Sequence, residues 1–388
     1  MQEKYCEHCW PTERRYHLRP HLNYFLGVLR QKTPNLRISY LSKPTSRLWL
    51  LFLKLLSFFK IVKFESKPNP SQLRNRSLIF WKEARRRDIE VEQIKVLDKP
   101  TNFFRLNQNK FYEAIPLTVE QNQINFDDKF KVKRILEEKE IPVPKGRCFL
   151  SSKKALSYAE KLSYPLVVKP RFGSLSEHAN WNIPNEKQLK QAIKIAKQYQ
   201  PGFILEEYLK GSLFRATVIK DRVFVCKKEK ANVVGDGEST IKELINEKNN
   251  DTQRGSTHQK NTTLHEIPVN NRLLKNLKQQ GLTLKSVPDK DQKVYLHRKI
   301  ILSQGCDIIE RTEQTHPKNK ELFKKTAQTL ETDLVGFDFI TPDITVPYFK
   351  QKTGIIEANS LPYADMHQFP SKGKSQPVAK TAWDKVEK

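Results

Sequence analysis

Two short apolar runs near the C-terminus carry acidic side chains in a pattern suited to binding a metal ion. Residues 334–340 include Asp338, and residues 354–358 include Glu357 and are followed by Asn359. Apolar runs of this length predict strands, and residues two apart on a strand point to the same face. An aspartate on a neighbouring strand can join Glu357 and Asn359 there, which gives the oxygen-rich ligand set that Mg²⁺ prefers. The alternative is a pair of solvated acids at strand ends.

The excess of basic residues limits the partners of this chain. Among 388 residues, 70 are Lys or Arg and 43 are Asp or Glu, which gives a net charge of +27. Such a charge attracts nucleic acids, anionic lipids or acidic substrates. The basic residues are spread over the whole sequence, however, so we favour a generally basic surface. No recognised nucleic-acid-binding module occurs, and no nucleic-acid partner is expected.

The cysteines indicate a reducing environment. There are five, an odd number, and three of them stand alone in the sequence. This usage is typical of a cytoplasmic protein rather than of a secreted disulfide framework. Cys6 and Cys9 occur in the stretch CEHC, which resembles half of a zinc site. Because no second pair of ligands follows at metal-ligand spacing, we favour two unrelated cysteines.

An apolar stretch at residues 47–64 is interrupted by three lysines, Lys54, Lys60 and Lys63. A membrane-spanning helix needs about 20 apolar residues, so this stretch is short and charged for that role. We favour a helix packed on its own protein. The alternatives are a helix lying at a membrane surface, flanked by Lys and Arg, and a true membrane span.

The order of predicted helices and strands divides the chain into regions. From residue 127 onwards, helical and strand patterns are mixed rather than strictly alternating, which predicts an α+β fold. The polar and proline-containing residues 67–77 indicate a linker. We predict an N-terminal extension with an apolar helix (1–70), a small α/β unit (71–126), and two further α+β regions (127–205 and 206–388).

Charged residues at the ends of two predicted strands are placed to contact a nucleotide. Lys169 ends the strand VVKP and is followed by a loop that contains Ser174 and Ser176. A lysine at such a position can reach phosphate groups while loop amides and hydroxyls cover them. The strand ILEEY carries Glu206 and Glu207, and such a strand offers backbone groups to adenine and a carboxylate to ribose. Each signal is weak by itself, because many strands end in a charged residue.

Seven motifs together resemble the ATP-grasp ligases. They occur in the order VVKP, EEYLKG, VVGDGESTIKELI, DTQRGSTH, LSQGCDII…THP, GFDFITPDIT and IIEANSLPYADMH. Both their order and their spacing are similar to those in the ATP-grasp domain of cyanophycin synthetase and in the similar domain of bifunctional glutathione synthetases. The resemblance covers residues 127–384, about two thirds of the chain.

The resemblance implies a fold and an activity. It implies two α+β subdomains (127–205 and 206–388) that grip ATP, preceded by a small pre-ATP-grasp α/β domain (71–126). It also implies a ligase that joins a carboxylate to the amine of an amino acid or peptide through an acylphosphate. The implied cofactors are ATP and Mg²⁺, with Mn²⁺ as an alternative. We further expect a homo-oligomer, and we do not favour membrane contact through residues 47–64.

The resemblance also implies roles for individual residues. Contacts to the phosphates are implied for Lys133 and Lys169, and the lid over them would include Ser174 and Ser176. The adenine end would be formed by Glu206, Glu207 and Tyr208. The metal ligands would be Asp338, Glu357 and Asn359. The residues implied near the substrates or the transferred phosphoryl group are Arg215, Arg254, His258 and His316.

Several positions depart from the family pattern. Ser176 and His178 replace glycines of the phosphate lid, and Leu213 replaces the acid expected to hold ribose. Asp365 stands where the last motif has an arginine, and His297 replaces another arginine. The metal ligands are kept, so we expect a changed substrate. The alternative is an ATP-binding module without ligase turnover.

Overall fold

The computed structural model describes residues 6–9, 17–32, 53, 55–107, 110–117, 124–174 and 176–386. These residues form three main sheets with helices packed against them. The predicted α+β class is therefore confirmed.

The first unit is an antiparallel four-stranded sheet in the order β1-β2-β3-β4, with a helix against it. Its elements are β1 (Val62–Glu65), α2 (Asn75–Arg86), β2 (Val91–Val96), β3 (Lys99–Leu106) and β4 (Lys110–Glu113). The last helix of the chain, α10 (Val378–Val386), also packs here, and Trp383 donates its indole N–H to the carbonyl of Phe80 at 2.8 Å. The boundary predicted at residue 70 is corrected, because β1 precedes it and pairs with β2.

The stretch 47–64 is not one helix, which corrects that expectation. Residues 53 and 55–58 are helical, but the following residues enter β1, where valine and phenylalanine alternate with charged side chains as in a half-buried strand. Residues 47–52 and 54 lie outside the described part of the chain. Phe58 and Phe59 are exposed to solvent. None of the described helices has the length and apolar character required to cross a membrane.

The second sheet has the order β5-β8-β6-β7 and forms the first half of the grasp. Ser151 caps one helix of this unit by accepting from the Lys154 amide, and Asn185 caps another by accepting from the Gln188 amide. The elements are α3 (Lys129–Glu138), β5 (Gly146–Phe149), α4 (Ser152–Ala159), β6 (Leu166–Pro170), β7 (Asn180–Ile183), α5 (Glu186–Tyr199) and β8 (Phe203–Glu207). Strand β8 crosses the predicted boundary between 205 and 206, so this half extends to residue 207.

The third sheet has the order β15-β10-β9-β16-β17 and carries the acids. Strands β9 and β10 form a hairpin that turns at Lys220 and Asp221. Helix α8 packs one face, where Phe323 lies against Phe337 and Phe339. Asp338 alternates with these phenylalanines and points to the opposite face. The elements are β9 (Ser212–Ile219), β10 (Arg222–Glu229), β15 (Asp307–Glu310), α8 (Pro317–Thr329), β16 (Leu334–Thr341) and β17 (Gly354–Asn359).

A smaller lobe is inserted between β10 and β15 and has its own apolar core. Thr240 caps its first helix through a reciprocal capping box with Glu243, as the stretch GESTIKEL predicts. Its elements are β11 (Asn232–Val234), α6 (Ile241–Asn249), β12 (Arg254–Gly255), β13 (Leu264–His265), α7 (Asn271–Gln279) and β14 (Lys293–Tyr295). A short helix, α9 (Asp365–Gln368), follows β17 and precedes α10.

The first helix of the chain, α1 (Leu18–Lys32), packs on the second sheet at the base of the predicted lid. Tyr24 is buried and meets the ring of Phe172 edge-on, with 5.8 Å between ring centroids. A Cβ at Gly27 would approach the same phenylalanine ring to 2.8 Å. A Cβ at Gly202 would approach the Tyr24 ring to 2.4 Å. These close approaches fix α1 against the subdomain that carries Lys169.

Candidate functional site

Three charged residues lie side by side across the third sheet. Asp338 on β16 pairs in register with Glu357 on β17 and, on its other side, with Arg215 on β9. Directly paired residues of an antiparallel sheet project to the same face. The predicted proximity of the two acids is therefore confirmed, and it follows from the pairing of two strands that are well separated in the sequence.

Asp338 is a buried carboxylate held between two cations. Its Oδ1 lies 2.8 Å from Arg215 Nε, and its Oδ2 lies 3.0 Å from Lys228 Nζ. Burial by itself raises the pKa of Asp338, but Arg215 and Lys228 outweigh that effect and hold the pKa below its ordinary value. Asp338 is therefore a permanent negative charge at neutral pH.

Glu357 and Asn359 are more open than Asp338. The Glu357 side chain is 26% exposed, and its Oε1 lies 3.5 Å from Lys129 Nζ. Asn359 Nδ2 donates to the carbonyl of Gly336 at 3.4 Å, so its side-chain oxygen is the atom suited to accept a cation. Together with Asp338 these residues provide hard oxygen donors on one strand pair, and this chemistry fits Mg²⁺.

Lys169 connects the second sheet with the third. Its Nζ lies 2.6 Å from Glu206 Oε1 and donates to the carbonyl of Ile356 at 3.1 Å. Ile356 immediately precedes Glu357 on β17. Lys169 therefore lies beside the acid-bearing strand. Positive charge from one subdomain and negative charge from the other thus meet at the same junction.

A second lysine converges on the same carboxylate. Lys133 Nζ lies 3.6 Å from Glu206 Oε2. Burial lowers the pKa of Lys133, while the charge of Glu206 opposes that effect. Glu206 is nearly inaccessible and is held by both lysines, because a buried carboxylate requires compensating cations. It was expected beside adenine, but its described contacts are with Lys133 and Lys169.

Glu207 and Tyr208, which follow Glu206 in the sequence, also form contacts with other parts of the protein. Glu207 accepts from the Lys145 amide at 2.9 Å and pairs with Lys352 Nζ at 2.5 Å. Burial raises the pKa of Glu207, but its hydrogen bonds to Lys352 and Lys145 lower it below the ordinary value. The backbone N–H of Tyr208 donates to the carbonyl of Pro165 at 3.2 Å. Leu213 is the second residue of β9 and is partly exposed.

The lid residues divide into exposed and buried side chains. Ser174 and Ser176 are exposed, and the Ser176 carbonyl accepts from Lys299 Nζ at 2.9 Å. Lys129 Nζ donates to the carbonyl of Gly173 at the start of the lid. His178 is buried and turned away from the exposed serines, towards the N-terminal segment.

The remaining predicted catalytic residues are not brought to Asp338 by any described contact. Arg254 is buried and pairs through Nη2 with Asp307 at 2.6 Å. His258 is exposed on the turn after β12. His316 caps α8, where its Nδ1 accepts from the Lys318 amide at 3.1 Å. Because α8 packs on the face opposite Asp338, His316 has a structural role as a helix cap.

Lys228 also contacts Asp338 and was not predicted from the sequence. It lies on β10, two strands from Asp338, and both of its contacts with that carboxylate measure 3.0 Å. The sequence signal was that residues two apart on a strand, such as Cys226 and Lys228, share a face. Here that face is also the face of Arg215. Strand β10 lies beside β9 and not beside β16, so the contact between Lys228 and Asp338 could not be inferred until the strand order was known.

Arg76 is a second missed residue, beside the motif position occupied by Asp365. Asp365 is buried and accepts from Thr263 Oγ1 at 2.6 Å, and burial raises its pKa. Arg76 comes from α2, lies over the ring of Tyr363 at 4.9 Å, and donates to the carbonyl of Leu361 at 3.3 Å. The loop that lacks the family's arginine therefore receives a guanidinium from a different element.

His297, which replaces a family arginine, gives a prediction for stability. Burial and the nearby Arg272 lower the pKa of His297 to about 4 from an ordinary value of 6.5. Between these two pKa values, the unfolded chain binds a proton at His297 that the folded protein does not bind. The free energy of unfolding therefore falls as the pH drops from 6.5 towards 4. We expect His297 to cost about 2 kcal/mol of stability at pH 5 relative to pH 7. Urea unfolding at both pH values should show a smaller pH dependence for His297→Gln, and equal dependence would contradict the prediction.

Comparison with known proteins agrees with this geometry. No protein-family model matches the chain. Cyanophycin synthetase from Crocosphaera subtropica is 35% identical over 261 residues, covering 66% of this chain and 30% of the relative. A bifunctional glutathione biosynthesis protein from Listeria monocytogenes is 32% identical over 314 residues, covering 77% of this chain and 39% of the relative. The crystal structure of a bifunctional glutathione synthetase from Pasteurella multocida aligns with a TM-score of 0.62 and 25% identity, covering 82% of this chain and 44% of that one.

The fold and the site define an ATP-grasp protein. The chain belongs to the ATP-grasp family. Within that family it is related to cyanophycin synthetase and to the bifunctional glutathione synthetases, and it spans less than half the length of these relatives.

Proposed function

We propose that this protein is an ATP-dependent ligase that joins a carboxylate to an amine. The observation that carries the proposal is the contact of Lys169 with strand β17, which holds Glu357 beside Asp338. Phosphate-binding cations and metal-binding acids from two subdomains meet there, as phosphoryl transfer requires.

The metal ligands of the proposed site are Asp338, Glu357 and Asn359. Magnesium bound there would neutralise charge on the phosphates of ATP. Asp338 keeps its negative charge because Arg215 and Lys228 stabilise it. Arg215 Nη1 is buried and has no hydrogen-bond acceptor among the described residues. A buried guanidinium N–H without an acceptor supports an anionic ligand, such as a phosphate or carboxylate, at this position.

Lys129, Lys133 and Lys169 would hold the phosphates from the other side. Each of them lies near a carboxylate in the structure: Lys129 near Glu357, and the other two near Glu206. Lys133 Nζ is buried, and its contacts with Glu206 at 3.6 Å and Glu137 at 3.7 Å are longer than hydrogen bonds, so it could donate a shorter bond to a phosphate oxygen. Backbone groups of Glu207 and Tyr208 at the end of β8 would contact adenine.

The proposed reaction has two steps. A carboxylate oxygen of the first substrate attacks the terminal phosphorus of ATP, so that an acylphosphate forms and ADP leaves. The amine nitrogen of the second substrate then attacks the acyl carbon, phosphate leaves, and the nitrogen loses a proton. The protein contributes mainly position and charge neutralisation. The changes around Asp365 and His297 support an acid or amine different from those of the relatives.

The proposal is tested by measuring ADP and phosphate release over a panel of amino acids, dipeptides and acidic peptides with Mg-ATP. We expect release only when a carboxylate and an amine are both present, with a new amide seen by mass spectrometry. Acidic peptides belong in the panel because the chain carries a charge of +27. Tight binding of Mg-ATP without any acceptor-dependent release would instead indicate a nucleotide-binding module.

A further inference from the structure

Two cysteines and two histidines from distant parts of the sequence converge at the lid. They are Cys6 and Cys9 of the N-terminal segment, His17 just before α1, and His178 of the lid. One ligand atom from each lies within 4.8 Å of all the others. The stretch CEHC was interpreted as two unrelated cysteines because its partners were not visible at any short spacing. The fold supplies them, so that interpretation is corrected.

The distances match those of a tetrahedral site. His178 Nε2 lies 3.4 Å from Cys6 Sγ and 3.3 Å from Cys9 Sγ, and His17 Nε2 lies 3.2 Å from Cys9 Sγ. Zinc bonds of roughly 2.0 Å to nitrogen and 2.3 Å to sulfur place neighbouring ligand atoms about 3.3–3.8 Å apart in a tetrahedron. Two thiolates and two imidazoles are the ligand set of structural zinc sites.

The surroundings of His178 orient it as a ligand. Its Nδ1 lies 2.7 Å from the carbonyl of Ile195, which accepts the ring N–H and leaves Nε2 to face the thiols. Its backbone N–H donates to the carbonyl of His8 at 3.2 Å. His178 has a φ of 52°, a left-handed conformation that costs energy for a residue other than glycine. Cys9 and His178 are both buried, as the ligands of a closed structural site are.

We propose that Cys6, Cys9, His17 and His178 bind a structural zinc ion that fastens the N-terminal segment to the phosphate lid. Lys299 holds the Ser176 carbonyl at 2.9 Å, and Tyr199 donates to Glu177 Oε2 at 2.5 Å. The zinc ion adds a further attachment to the same loop. Zinc binding explains why His178 replaces a lid glycine. The histidine supplies a metal ligand at a position whose backbone conformation favours glycine.

The first test is the metal content of the purified full-length protein. We expect about one zinc ion per chain, and a tetrahedral thiolate spectrum when Co²⁺ replaces zinc. Cys9→Ser and His178→Gly should each lose the metal, whereas Cys148→Ser, which alters a cysteine outside the cluster, should retain it. Glycine adopts positive φ readily, so His178→Gly removes the ligand without adding backbone strain. Circular dichroism confirms that each variant is folded.

The second test measures the lid directly. Hydrogen exchange of peptides covering residues 173–179 should be at least about tenfold faster in wild-type protein stripped of zinc by a chelator than in zinc-loaded wild-type protein. His178→Gly should exchange at the fast rate with or without added zinc. A folded wild-type protein that binds neither Zn²⁺ nor Co²⁺ would overturn the proposal. So would a Cys6–Cys9 disulfide in protein purified under reducing conditions, or zinc retained by His178→Gly.

Discussion

Glu357→Gln is expected to lower acceptor-dependent ADP release at least about 100-fold while changing the free energy of unfolding by less than about 1 kcal/mol. The proposed magnesium site loses a charged ligand, although the side chain keeps its size. The cost to stability is small because Glu357 is 26% exposed and its one described ion pair, with Lys129, measures 3.5 Å. Activity and stability are therefore separated at this position.

The matched control for this prediction is Glu313→Gln. Glu313 is an exposed carboxylate with one long lysine contact, 3.7 Å to Lys374. Its removal should leave both activity and stability unchanged. Asp338→Asn is a less direct test, because it leaves Arg215 and Lys228 without their buried partner and would cost about 3 kcal/mol of stability. Full ADP release by a folded Glu357→Gln protein would contradict the assignment of the metal site.

Lys169→Met is expected to abolish measurable turnover and to destabilise the protein by about 3 kcal/mol. The lysine compensates the buried carboxylate of Glu206 at 2.6 Å, and Lys133 at 3.6 Å compensates it only in part. Loss of turnover follows from the loss of the proposed phosphate contact. The loss of stability follows from an incompletely compensated buried charge.

The double variant Lys169→Met/Glu206→Gln separates these two effects. Removing the carboxylate should restore most of the lost stability, so that the coupling energy between the positions exceeds about 1 kcal/mol. Turnover should remain abolished, because the phosphate still lacks its lysine. Urea unfolding and ADP release are measured on wild type, Lys169→Met, Glu206→Gln and the double variant, which together form a double-mutant cycle. If the double variant regained activity, Lys169 would act only by balancing Glu206.

Local patterns predicted the two strands that carry the acids. The apolar runs 334–340 and 354–358 lie within β16 and β17. The stretch 47–64 failed this reasoning because a continuous apolar run does not distinguish a helix from a strand. There the pairing of β1 with β2 decided the outcome.

The candidate site was predicted where its residues share a strand pair and was missed where they do not. Glu357 and Asn359 are two residues apart, so their common face could be inferred from sequence. Lys228 reaches Asp338 across β9, and Arg76 reaches the loop before α9 from another domain. No local spacing encodes such contacts.

The sequence by itself determined the α+β class, the ATP-grasp motifs and the acids that can bind metal. Only the tertiary structure decided that Glu206 pairs with two lysines, that His316 caps a helix on the opposite face, and that CEHC has two histidine partners. The reason is physical: side-chain spacing along one helix or strand is set by the backbone period, whereas contacts between elements depend on how their apolar faces pack. His178 lies 169 positions from Cys9 in the chain and yet 3.3 Å from it in space.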